Sequence, residues 1–167
     1  ATTTALVPGQ KFELSIGTTV KSSSTQTAYL VAFVKVSNDA TTTLEGLNDL
    51  VTGNIADTWK DTTKTSNGYA IYLYGTATVG KEIALTDADQ TINLVNSTEA
   101  VVPVGWDNRY ADKTTTVDVV FVAVQPPIAD GAPVTTGATL TQLTDVVNAI
   151  LAASTDATVN TLSIPAK

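Results

Sequence analysis

Polar and apolar residues alternate from Lys11 to Ile16 (KFELSI), the period of a strand with one buried face. Ala28 to Val36 (AYLVAFVKV) is apolar at both parities and too short for an ordinary helix, so it predicts a central strand. Further strands are predicted at Tyr69–Val79, Lys81–Leu85, Gln90–Val95 and Ala100–Val104, broken by Gly80 and by Asp87-Ala88-Asp89. Thr114 to Gln125 (TTTVDVVFVAVQ) carries the strongest strand signal. Val117, Val119, Phe121 and Ala123 line one face; Val120, Val122 and Val124 line the other. Pro126-Pro127 ends that strand, because proline has no N–H to give to a ladder. Ser22 to Thr27 is a polar loop. Asp57 to Gly68 is polar apart from Trp59, takes no strand assignment, and closes on the turn signal Asn67-Gly68.

Two segments follow a helical period instead. Leu44, Leu47, Leu50 and Val51 share one face of a short predicted helix over Thr42–Val51. Leu140, Leu143, Val146, Val147, Ile150 and Leu151 form a longer apolar stripe, and Thr139 with Gln142 has capping-box spacing ahead of it. Ile128 to Gly137 is rich in Pro, Gly and Ala and reads as a linker. After Ser154 the pattern turns extended, with Val159, Leu162 and Ile164 apolar. The expectation is a mainly β chain: an antiparallel β-sandwich over residues 1–125 with one or two short helices. Residues 126–167 then form a linker, a helix and an extended arm packing on the same or a neighbouring subunit.

Composition supports β structure and narrows the chemistry. Threonine is the commonest residue in the 167, and Thr and Val suit a pleated, half-buried surface. The chain contains no Cys, His or Met. Without His or Cys there is no Ser-His-Asp triad, Cys nucleophile or ordinary structural zinc site, and no acid–base constellation stands out. The expectation is a non-catalytic protein. The missing Met predicts a processed chain, through a removed signal peptide, a trimmed segment or a cleaved virion protein. Charged residues are 15% of the chain and the net charge is −7, with Arg109 the single arginine. No basic cluster is present to neutralise phosphates, so nucleic-acid binding is not expected. No apolar run approaches the ~20 residues of a membrane span.

The run Asn108-Arg109-Tyr110-Ala111-Asp112-Lys113, followed by a strand closing on Phe121-Val122-Ala123-Val124-Gln125, resembles the last strand of the camelysin/TasA family of fibre proteins. Archaeal bundling-pilus subunits look related to that family. Leu6-Val7-Pro8-Gly9 is similar to the family's Leu-x-x-Pro-Gly-Asp turn, with Gln10 in place of the Asp. The resemblance implies a jelly-roll-like sandwich, secretion to the cell surface, and a homopolymer formed by donor-strand exchange. In β-augmentation of this kind, backbone hydrogen bonds give affinity and alternate side chains fill pockets. Two departures are visible. Only seven residues precede Pro8, and 42 follow Gln125. The donor is therefore either Ala1, Thr2, Thr3, Thr4, Ala5, Leu6 and Val7, which the analogy favours, or the arm holding Val159, Leu162 and Ile164.

Other candidate sites compete with plainer readings. Asp87 and Asp89 place two hard oxygen ligands at one loop, suited to Ca²⁺ or to an ordinary solvated turn. Asp57, Asp61, Asp107 and Asp112 invite the same comparison. Asn96-Ser97-Thr98 is a glycosylation acceptor triplet. Lys35, among apolar neighbours, suits an isopeptide crosslink, an edge position or a snorkelling stem. Trp59, Tyr69, Tyr72, Tyr74 and Trp106 would suit a sugar-stacking platform or ordinary packing. The leading functional expectation is an extracellular pilus or matrix-fibre subunit, with possible surface or glycan contact. The alternatives are a virion or phage-tail structural protein and a carbohydrate-binding β-sandwich module using Tyr72, Tyr74 and Trp106.

Overall fold

The computed structural model describes residues 7–38, 48–111 and 113–166. In chain order the strands are β1 (Lys11–Val20), β2 (Tyr29–Asn38), β3 (Trp59–Ser66), β4 (Tyr69–Tyr74), β5 (Gln90–Val101), β6 (Thr115–Val124), β7 (Ile128–Ala129) and β8 (Ala132–Pro133). Helix α1 (Asp49–Thr52) falls between β2 and β3, and α2 (Leu140–Ala152) follows β8. The chain is mainly β, 45% strand and 15% helix, with antiparallel sheets and no closed barrel. One sheet has the order β3-β4-β2-β6, β1 pairs with β5, and β7 pairs with β8.

Two compact units share these strands: Ala1–Gly17, Val36–Ala56 and Asn93–Val117 in the first; Thr18–Lys35, Asp57–Ile92 and Asp118–Lys167 in the second. The second holds the principal core. β2 lies between β4 and β6, and every residue from Tyr29 to Val34 is buried, as its two apolar faces predict. The register sets Val31 opposite Leu73 and Phe33 opposite Ile71, so Tyr29, Val31, Phe33, Tyr69, Ile71 and Leu73 share one face. Val122 and Val124 of β6 join them.

Helix α2 covers that face. Leu140, Leu143, Val147 and Leu151 recur at helical spacing and are buried in the same cluster. Its start is fixed by a capping box: Gln142 N–H donates to Thr139 Oγ1 at 3.3 Å, and Thr139 N–H donates to Gln142 Oε1 at 2.8 Å. The helix begins where the turn after β4 meets it. Gly80 N–H donates to Ala138 O at 2.8 Å, and Leu140 N–H donates to Thr78 O at 2.8 Å. A Cβ on Gly80 would lie 2.8 Å from a Tyr29 ring carbon and 3.2 Å from a Leu143 methyl. The Tyr29 hydroxyl donates to Val134 O at 3.0 Å and accepts Ala138 N–H at 3.4 Å, tying β2 to the segment that leads into the helix.

The opposite parity of this sheet holds an aromatic group. Trp59 pairs with Tyr74 across β3 and β4, their rings edge-to-face at 5.4 Å. Trp59 also approaches Phe121 of β6 to 5.9 Å between centroids. Such pairs add about 0.5–1.5 kcal/mol each beyond the area they bury.

In the first unit, β1 exposes Lys11, Glu13 and Ser15 and half-buries Phe12, Leu14 and Ile16, the predicted alternation. Ile55 bridges to Val95, and Ala56 N–H donates to Leu94 O at 2.8 Å. The Lys11–Glu99 ion pair at 2.9 Å is exposed on both sides and contributes little.

Several expectations need correction. Asp57–Gly68 contains β3, hidden from the hydrophobic pattern because a bulge between Asp61 and Thr65 breaks the two-residue period. Its buried positions, Trp59 and Thr62, are three residues apart. The strand read as Tyr69–Val79 stops at Tyr74, where Gly75 turns the chain at φ +133°. Lys81–Leu85 contributes a single bridge, Ile83 to Ala28. Gln90–Val95 and Ala100–Val104 are instead one strand, β5, ending at Val101. The 128–137 linker contains the β7–β8 hairpin, with Asp130 and Gly131 at φ +51° and +79°, the signs a two-residue type I′ turn needs. Of the helix predicted over Thr42–Val51, the described part is α1, which buries Val51; Leu44 and Leu47 lie outside the described residues.

The packing yields a paired test. Leu143→Ala should cost about 2–5 kcal/mol, since the side chain is fully buried. Gly80→Ala should cost about 1–3 kcal/mol by overpacking Tyr29 and Leu143. Urea unfolding measures both. A neutral Gly80→Ala variant would contradict the close approach of this turn to the helix.

Candidate functional site

The two candidate donor segments have different fates. Ala1, Thr2, Thr3, Thr4, Ala5 and Leu6 lie outside the described residues. Val7 is described, and its side chain is 60% exposed. It opens a turn in which Pro8 and Gly9 occupy the central positions, Gly9 at φ +79°, the arrangement of a type II turn. Gln10 closes the turn twice: its N–H donates to Val7 O at 3.0 Å, and its Oε1 accepts Val7 N–H at 2.9 Å. Gly9 N–H donates to Val102 O at 2.8 Å and Val102 N–H to Gln10 O at 3.0 Å. The turn is thus anchored beside the end of β5.

The C-terminal arm is not a strand. Val159–Thr161 forms a 3₁₀ turn, while Leu162 and Ile164 are 3% and 1% exposed in the chain's own core. The Asn148 side chain holds the Ile164 backbone at both ends, accepting its N–H at 2.6 Å and donating to its carbonyl at 3.0 Å. Asn67 Nδ2 donates to Thr161 O at 2.8 Å, Ser163 N–H to Ser66 Oγ at 3.0 Å, and Lys64 Nζ to Pro165 O. Residues 126–167 therefore pack on the sheet of their own chain. Lending Leu162 and Ile164 to a neighbour would empty that core. Of the other candidate donor, only Val7 lies among the described residues.

The Asn108–Gln125 stretch divides into a turn and a strand. Asp107 caps a 3₁₀ turn at Asn108–Tyr110, accepting Arg109 N–H at 2.9 Å and Arg109 Nε–H at 3.0 Å. Those bonds, the guanidinium's first, hold the Asp107 carboxyl below its usual range. Trp106 and Tyr110 stack at 4.3 Å with their planes 7° apart. Tyr110 was missed as a partner for Trp106, although its position four residues on, within one turn, was a usable signal. The strand is β6, and its Val122 and Val124 enter the core as the alternation predicts.

The proposed sugar platform is largely internal. Trp59, Tyr69 and Tyr72 are buried, and Tyr74 is half-buried against Trp59 with Lys81 above its ring at 5.7 Å. Lys35 is half-buried, with its ammonium 5.6 Å from the centroid of Tyr69, a cation–π contact instead of a buried lone charge. Asn96 and Thr98 are exposed in the middle of β5. A shallow groove of about 400 Å³ opens among Thr25, Gln26, Leu85, Gln125, Pro126 and Ile128. Leu85 and Ile128 stay 45% and 68% exposed.

At the candidate Ca²⁺ loop, both Asp89 oxygens are engaged within the chain. Lys21 Nζ donates to Oδ2 at 2.7 Å and Ser22 N–H to Oδ1 at 2.8 Å. The ammonium supplies the positive charge a cation would bring. Among the described residues no three carboxylates gather into a metal-sized cluster.

Lys21, and after it Ser22, lower the Asp89 pKa from 3.8 to about 2. A depressed carboxyl adds stability above its unfolded value, and loses that contribution as pH falls through about 2. NMR titration should find the Asp89 midpoint near 2, and Lys21→Met should move it up toward 3.8. An unmoved midpoint would show that the ion pair is not its cause. Set against known proteins, the chain matches no family model, no curated protein and no solved structure.

Proposed function

We propose that this chain is a non-catalytic structural subunit of an extracellular filament, a pilus or biofilm matrix fibre. In this reading it is secreted, folds as a jelly-roll-like sandwich, and polymerises with copies of itself by donor-strand complementation. The observation that carries the proposal is that the sheets are left open. Among the described residues β3 and β6 each have one neighbouring strand, and β1 and β5 form a sheet of two strands, to which Ile55 adds a single bridge at Val95. Open edges expose rows of N–H and C=O groups that pair readily with an added extended chain. A two-stranded pairing is itself marginal in water and gains from further strands.

The donor in this proposal is the segment Ala1–Val7, uncharged and rich in Thr, which meets the fold at the exposed Val7 and the anchored Pro8-Gly9 turn. The resemblance of Asn108–Gln125 to camelysin/TasA-type fibre proteins supports the same reading. The burial of Trp59, Tyr69 and Tyr72 weighs against the carbohydrate-module alternative.

Negative-stain electron microscopy of the full chain should show ordered filaments. Deleting residues 1–7 should leave a folded, non-polymerising subunit with an unchanged circular-dichroism spectrum. A well-folded monomer at every concentration of the full chain would overturn the filament reading.

A further inference from the structure

The tip of the β3–β4 hairpin is where the C-terminal segment is fastened. Ser66 pairs with Tyr69, so the loop between them has two residues, Asn67 and Gly68. Their φ values, +48° and +82°, have the signs of a type I′ turn, for which Asn followed by Gly is strongly preferred. Three bonds tie this hairpin to the chain after α2. Asn67 Nδ2 donates to Thr161 O at 2.8 Å, Ser163 N–H donates to Ser66 Oγ at 3.0 Å, and Lys64 Nζ donates to Pro165 O. Leu162 and Ile164, both buried in the core, alternate with those attachment points along the chain.

The same turn carries a reaction of its own. Asn67 is the one asparagine of the sequence that glycine follows. With no side chain on Gly68 to obstruct it, the Gly68 backbone nitrogen can reach the Asn67 carboxamide carbon. That nitrogen, its proton lost to water, bonds to Cγ; the Cγ–Nδ2 bond breaks, and Nδ2 takes a proton back and leaves as ammonia. Water then opens the cyclic imide at one of its two carbonyls. The product is an aspartate, or an isoaspartate whose backbone runs through the former side chain. Water is the only co-reactant.

We propose that Asn67 is a self-modification site gated by the C-terminal segment, and that its deamidation releases that segment from the hairpin irreversibly. While Thr161 O holds Nδ2 and the turn fixes the backbone, attack is slow; it proceeds when the clamp opens. The product cannot close the clamp again. A carboxylate has no N–H to donate, and it would meet the Thr161 carbonyl acceptor to acceptor. Lys35 Nζ, 3.9 Å from where a Cβ on Gly68 would stand, offers the new charge a cation in place of that carbonyl. An isoaspartate does more, because its added backbone carbon alters the two-residue loop that sets Ser66 opposite Tyr69.

The test ages the full chain in mildly alkaline buffer and maps it by digestion and mass spectrometry. The amide-to-acid mass change, with isoaspartate, should accumulate first at Asn67, ahead of Asn96, which serine follows. Hydrogen exchange at the Ser163 and Ile164 amides should then run about three- to tenfold faster, the scale of one lost hydrogen bond. Asn67→Asp should show the same acceleration without ageing. Asn67→Gly, which suits the turn, should gain no acid at this position. Ser66→Ala removes one clamp acceptor and should speed Asn67 deamidation several-fold while leaving Asn96 unchanged. Acid appearing first at another asparagine would overturn the site. An Asn67 rate that Ser66→Ala does not alter would overturn the gating. Unchanged Ser163 and Ile164 exchange in Asn67→Asp would overturn the release.

Discussion

The burial of one face of the four-stranded sheet under α2 is the interaction on which the second unit depends. Tyr29, Val31 and Phe33 on β2, with Tyr69, Ile71 and Leu73 on β4, form a surface that water cannot be left to cover. Leu140, Leu143, Val147 and Leu151 cover it, and the neighbouring features follow from that contact. Gly80 is small because its backbone lies against Tyr29 and Leu143. Thr139 and Gln142 cap the helix where that approach begins. Leu162 and Ile164 complete the same cluster, held in place by the two Asn148 hydrogen bonds to Ile164.

That commitment bears on assembly. A segment whose side chains belong to its own core is costly to lend, because withdrawing them leaves a cavity. The edges differ in the same physical way. β3 combines a bulge, charged side chains and a strained threonine, at some expense in stability, and so resists further pairing. β6 keeps an uninterrupted run of β-branched and aromatic residues.

The strands most legible in the sequence were those with the simplest burial. β2 and β6 are apolar at both parities, β1 alternates, and the α2 stripe with its capping box announces itself at helical spacing. The hidden strand was β3, whose edge position makes it polar and whose bulge destroys its period. β5 looked like two strands because Asn96-Ser97-Thr98-Glu99 interrupts its apolar residues, while backbone pairing continues regardless of side-chain polarity. The Asp130-Gly131 hairpin was legible in principle, but the surrounding Pro, Gly and Ala suggested a linker. Among the candidate site residues, the sequence placed Asp89 in a loop without revealing that Lys21 and Ser22, 68 and 67 positions away, occupy its oxygens.

The sequence by itself determined the β class, the central strand, the amphipathic helix and the end of β6 before Pro126-Pro127, because each follows from local periodicity or from the backbone limits of Pro. Only the tertiary structure decided which apolar residues meet. It sent Leu162 and Ile164 into the chain's own core, turned Tyr72 inward, and left β6 at an edge. The physical reason is that burial and pairing depend on partners far apart in sequence, and a local pattern can state that a face is apolar without stating what covers it.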